Sequence, residues 1–148
     1  MYIKQTKTVL LSVIVLLTLL LFFQACEKSD STGLIGTITL TDKETQTIVH
    51  QGKSITITTS DFNDSRCPTN ANCIWEGSAT VKITFKDDVK TQELNLCLGG
   101  CNIAQTPKIG TVTLNGTTFK IKLEEITPYP TTDKNKPEAS KAKIIFSE

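Results

Sequence analysis

The stretch Ala79-Thr80-Val81-Lys82-Ile83-Thr84-Phe85-Lys86 carries an apolar side chain at every odd position and a polar one at every even position. Successive side chains of an extended chain point to opposite faces. A period of two over eight residues therefore marks a strand with one buried and one solvated face. Phe119-Lys120-Ile121-Lys122-Leu123-Glu124 repeats the pattern. So do Ile55 and Ile57 among threonines, Leu94, Leu96 and Leu98 around Asn95 and Cys97, and Ala142, Ile144 and Phe146 near the C-terminus. Ile38 with Leu40, and Val112 with Leu114, add two shorter segments, and an eighth is expected around Ile48. Thr is the most frequent residue, and β-branched side chains fit a pleated surface better than a helix.

Turn chemistry sets the pairing. Asn115-Gly116 suits a type I′ turn, which needs positive φ at both central residues. It places Leu114 opposite Thr117 and Val112 opposite Phe119. Around Asp87-Asp88, a two-residue loop would set Phe85 against Lys90. A four-residue loop, Asp87 to Lys90, aligns Ile83 with Leu94 and Val81 with Leu96, so register favours the longer loop. Pro128-Tyr129-Pro130 through Pro137 should form a long loop before the last strand. The expectation is an all-β chain: an antiparallel β-sandwich or small barrel of about seven to eight strands, following an N-terminal signal helix.

That N-terminal segment gives an address. Lys4 and Lys7 precede an apolar run from Val9 to Phe23, and no acidic residue interrupts it. Fifteen residues rise about 22 Å as a helix, short of the roughly 30 Å hydrocarbon core. A basic start, a short apolar middle and a small residue at the exit describe a secretory signal peptide. Phe23-Gln24-Ala25-Cys26 resembles the lipobox cleaved by the lipoprotein signal peptidase. The resemblance implies cleavage after Ala25, a diacylglycerol on the Cys26 sulfur, and attachment to a membrane through that lipid. Residues 1–25 are thus read as signal peptide, 26–33 as lipidated cysteine and flexible tether, and 34–148 as a single β domain. No Asp follows Cys26, so the outer membrane is expected, with periplasmic and surface orientations both open.

Composition narrows the function classes. Without Lys4 and Lys7 the mature part balances 14 basic residues against 15 acidic ones and is near neutral. It shows no Lys/Arg cluster, which argues against nucleic acid as a partner. His50 is the only histidine, so a Ser-His-Asp or Cys-His site would have to run through it. It has no such context and reads as an exposed strand-end residue. Asp61-Phe62-Asn63-Asp64 lacks the Gly and distal Glu of a calcium loop. Glu124-Glu125 are strand neighbours pointing to opposite faces, a poor glycosidase pair. No catalytic residue, cofactor or metal is expected.

With Cys26 assigned to lipid, four cysteines remain: Cys67, Cys73, Cys97 and Cys101. An exported chain meets an oxidising compartment, so bridges are expected. Three connectivities exist, and proximity favours Cys67–Cys73 with Cys97–Cys101. A four-thiolate zinc site is the alternative, at spacings unlike paired CxxC knuckles.

Asp64-Ser65-Arg66-Cys67-Pro68 followed by Cys73-Ile74-Trp75-Glu76-Gly77-Ser78-Ala79 resembles the D-S-R-C-P…C-x-W-x-G-x-A signature of small exported bacterial proteins, many of them lipoproteins and of uncharacterised function. Ile126-Thr127-Pro128-Tyr129-Pro130 is similar to the segment that closes their domain. Cys97 and Cys101 are not part of that signature. Arg66 is the only Arg and Trp75 the only Trp. Asp64 or Glu76 is suited to hold the guanidinium in a bidentate pair, and Trp75 to cover the bridge. Two roles follow for Asp64, Arg66, Trp75 and Glu76: a structural corner, which is the expectation, or a recognition hot spot. The expected function is a lipid-anchored, non-catalytic binding or accessory module with an envelope protein as partner. The alternatives are a protease inhibitor presenting the Cys67–Cys73 loop beside Arg66, and, more weakly, a carboxylate-based envelope enzyme.

Overall fold

A computed structural model describes residues 36–133 and 138–148, which belong to one compact unit. The signal peptide, Cys26 and the tether lie outside the described residues. The elements are β1 (Gly36–Thr41), β2 (Thr45–His50), β3 (Lys53–Asp64), β4 (Ser78–Lys86), β5 (Thr91–Gly99), α1 (Cys101–Ala104), β6 (Ile109–Leu114), β7 (Thr117–Thr127) and β8 (Lys141–Ser147). They build two four-stranded antiparallel sheets, ordered β1-β8-β7-β6 and β2-β3-β4-β5. The fold is a β-sandwich.

Both expected hairpin registers are present. Val81 faces Leu96, Ile83 faces Leu94, and Lys86 pairs with Thr91 across a four-residue loop. Leu114 faces Thr117 and Val112 faces Phe119, with φ of 52° at Asn115 and 91° at Gly116. Strand β2 is the eighth strand expected around Ile48, joined to β3 by the positive-φ pair Gln51-Gly52.

Alternate residues of the two sheets meet in one core. Ile55, Ile57, Ile83, Phe85 and Leu96 come from one side, and Leu40, Leu114, Phe119, Ile121 and Ile144 from the other. Phe85 and Phe146 contact edge to face at 6.1 Å across it. His50 corrects the reading of it as exposed. It follows Ile48 by two residues, on the inward face of β2, and is buried. Its ring stands edge-on to Phe119 at 5.2 Å, with Nε2 3.6 Å from Glu148 Oε1. Glu124 and Glu125 also differ from expectation. A register shift between Leu123 and Glu125 breaks the alternation, so both are exposed, and Glu124 pairs with Lys143 at 2.8 Å.

The two sheets share their ends. At one end lie the β1–β2 turn and the connections that follow β3, β5 and β7. At the other lie the β2–β3, β4–β5 and β6–β7 turns and the start of β1. Near the first end, the fully buried Thr59 donates its hydroxyl to Thr41 O at 2.6 Å, while Lys43 N–H donates to Thr59 O at 2.8 Å. At the second, Asp87 ties two hairpins together. One carboxylate oxygen accepts the Val89 and Lys90 amides at 2.8 and 2.7 Å, and the other accepts the Asn115 amide at 2.8 Å.

Those amides, Asn115 foremost, hold the Asp87 carboxyl below the usual carboxylate range. A depressed folded-state value means stabilisation that is present above the unfolded value, about 3.9, and is lost as pH falls through the folded one. Asp87→Asn should therefore lower the thermal midpoint at neutral pH, with the gap to wild type closing in strong acid. A gap that is constant down to the acid limit would remove the carboxylate from the explanation.

Candidate recognition site

The link from β3 to β4 is a loop whose arms continue the ladder beyond the strands. Ser65 N–H donates to Ser78 O at 2.8 Å and Cys67 N–H to Glu76 O at 2.9 Å. Between the arms Cys67 is bridged to Cys73, and a second bridge joins Cys97 to Cys101. The local pairing is thus the one present. Among the described residues no group of three metal-ligating side chains is assembled, and no helix is long and apolar enough to cross a membrane.

Arg66 lies inside this corner. Its Nε donates to Asp64 Oδ1 at 2.8 Å, and Nη2 donates both to Asp64 Oδ2 and, at 2.8 Å, to Ile126 O. The guanidinium carbon sits 4.3 Å from the Tyr129 ring centroid. The planar fork thus meets a carboxylate, a carbonyl and an aromatic face together, a combination only Arg can make. At 9% exposure Arg66 is not displayed beside the staple, as the inhibitor reading required. Two further contacts fasten the loop to the same segment. Thr69 N–H donates to Pro130 O at 3.1 Å, and Asn70 and Thr132 exchange hydrogen bonds. On the opposite side Gly100 N–H donates to Gly77 O at 2.8 Å, tying the loop to the turn that starts α1.

Held on both flanks, the loop displays what remains. Ile74 is 94% exposed, Trp75 70%, and Ile103 of α1 70%. This corrects the expectation that Trp75 packs over the bridge as part of a structural lock. The lock consists of Asp64, Arg66, Tyr129 and the Ile126 carbonyl, and Trp75 stands outside it. Ser65, Trp75, Gly77, Ser78, Gly100 and Ile103 line a cleft of about 460 Å³, within the range of ligand-sized pockets. Two of its lining residues are glycines in tight places: a Cβ on Gly77 would stand 1.9 Å from Ser65 O, and one on Gly100 3.0 Å from Gly77 O.

Glu76 does not take part in the guanidinium pair, which falls to Asp64 alone. Its side chain runs across Gly100 instead. The Asp87 carboxylate is occupied by backbone amides, and Glu124 and Glu125 face solvent. The sequence did not single out Ile103 or Ile74. Helix α1 has only four residues, too few for any periodicity to show. Comparison of the chain with family models, curated proteins and solved structures found no match.

Proposed function

We propose that this is an exported, lipid-anchored, non-catalytic module of the cell envelope, and that it binds a partner protein through the Ile74-Trp75 tip and the adjoining cleft. The observation that supports this most is an exposed Trp on a loop closed by a disulfide and hydrogen-bonded on both flanks. Aromatic side chains of this size dominate binding energies when an interface covers them. A pre-ordered loop lowers the entropic cost of that association. The address rests on the lipobox at Cys26 and on the D-S-R-C-P…C-x-W-x-G-x-A pattern, with the outer membrane as the expected site. The two bridges suit an oxidising compartment.

The test uses the full chain in cells, with Trp75→Ala and Cys26→Ala. Truncating an exposed side chain should change stability by less than about 0.5 kcal/mol. Trp75→Ala should keep its unfolding midpoint, reach the membrane, and lose the envelope protein that crosslinks to wild type. Cys26→Ala should lose acyl label and leave the membrane fraction. An unchanged crosslinking pattern for Trp75→Ala would sink the binding reading, and acyl label on Cys26→Ala would sink the anchor.

A further inference from the structure

The proposed tip has a charge asymmetry that specifies what it binds. Two segments, 65–78 and 99–107, frame the cleft. Their only charged side chains are Arg66 and Glu76. Arg66 is buried and spent on Asp64 and Ile126 O. That leaves Glu76 as the single solvent-facing charge on these two segments. Its Oε1 and Cγ lie 3.3 and 3.5 Å from where a Cβ on Gly100 would stand, so the carboxylate hangs over a residue that lines the cleft. Among the described residues it makes no hydrogen bond or ion pair, and neither does the Trp75 indole N–H.

Three features therefore sit together: an apolar cleft, an exposed indole and an uncompensated carboxylate. An indole face attracts cations as well as apolar groups. A carboxylate beside it repels acidic partners and favours basic ones. Ile74 protrudes outside the cleft at 94% exposure, so a small molecule within the cleft would leave it uncovered. An extended polypeptide would cover it. We infer that the site takes a segment of a partner protein in which a bulky apolar side chain is flanked by Lys or Arg. The apolar group fills the cleft against Trp75 and Ile103, and the cation meets Glu76 and the indole face. This inference rests on the binding reading above and adds the partner's chemistry to it.

Trp75 is the only Trp, so its fluorescence reports directly on the site. The full chain, purified in detergent, is titrated with capped pentapeptides that lack Trp and carry a central Phe or Leu flanked by Lys, Gln or Glu. The expected result is saturable change in Trp75 emission, with affinity in the order Lys, Gln, Glu. The spread from first to last should be roughly threefold to tenfold at low salt and should shrink as salt rises. Glu76→Gln should flatten the order and Glu76→Lys should invert it, with the unfolding midpoint unchanged. No saturable response to the Lys-flanked peptides would overturn the inference. So would an order that survives Glu76→Lys, even if Trp75→Ala still abolished crosslinking to the envelope partner. That last pattern would leave an apolar binding tip without charge selection.

Discussion

Arg66→Ala should lower the unfolding free energy by about 3 kcal/mol, seen as a fall in the denaturant midpoint at unchanged slope. Arg66 is the buried half of its ion pair with Asp64. Removing one partner of a fully buried pair leaves the other charge without compensation and typically costs about 3–5 kcal/mol. The Asp64 side chain keeps 21% exposure and so recovers some hydration, which places the effect near the low end of that range. The Ile126 carbonyl also loses its donor and Tyr129 its cationic partner. Arg66→Lys should fall between, since an ammonium restores the charge but not the fork or the stacking plane. A loss below about 1 kcal/mol for Arg66→Ala would contradict the assignment of this residue as the lock of the corner. The contrast with Trp75→Ala is the sharper point. Two residues of one loop should separate cleanly, one acting on stability and one on binding.

Gly77→Ala should be comparably damaging, at about 2–5 kcal/mol or with outright loss of the folded protein. Gly77 has φ of +67°, and a Cβ there would stand 1.9 Å from Ser65 O and 2.9 Å from the Arg66 Cα. Both are backbone atoms, and the Ser65–Ser78 and Cys67–Glu76 hydrogen bonds hold them in place. The left-handed conformation costs an L-residue roughly 1–2 kcal/mol by itself. Forcing apart packed atoms adds roughly 1–3 kcal/mol. Gly116→Ala is the control. It shares a positive φ but meets nothing within 4 Å, so it should show the backbone cost alone. Equal midpoints for the two variants would show that the close approach of the loop arms carries no weight.

Much of the sandwich was legible because its signals are local. Alternation in 79–86 and 119–124 named both the strands and their inward faces. Asn115-Gly116 fixed one register, and the match of Ile83 to Leu94 fixed the other, since a one-residue slip would have put apolar side chains in water. The partition at the corner was not legible. Arg66 and its acceptor on Ile126 are 60 residues apart in sequence, and no local pattern links them. Trp75 read as a cover for the nearby bridge in a structural corner, with a recognition hot spot as the alternative, and only the loop's geometry shows it turned outward. His50 was the reverse case. Its polarity outweighed its parity with Ile48, although parity decided its place.

The chain enters the sandwich at the start of β1, at the end opposite the displayed loop. Were the chain held by the proposed lipid on Cys26 and gripped by the proposed partner at Trp75, tension would run lengthwise through the fold. Strand β1 would carry it first, and β1 is bound to β8 by six facing pairs from Gly36↔Phe146 to Thr41↔Lys141. A pull along the strand axis loads those pairs in shear, all at once, rather than peeling them one after another. At the gripped end, the Cys67–Cys73 bridge closes the loop covalently, so the tip cannot be drawn out as slack. The same architecture that displays Trp75 would, on the proposed function, also suit the module to serve as a mechanical link between a membrane and its partner.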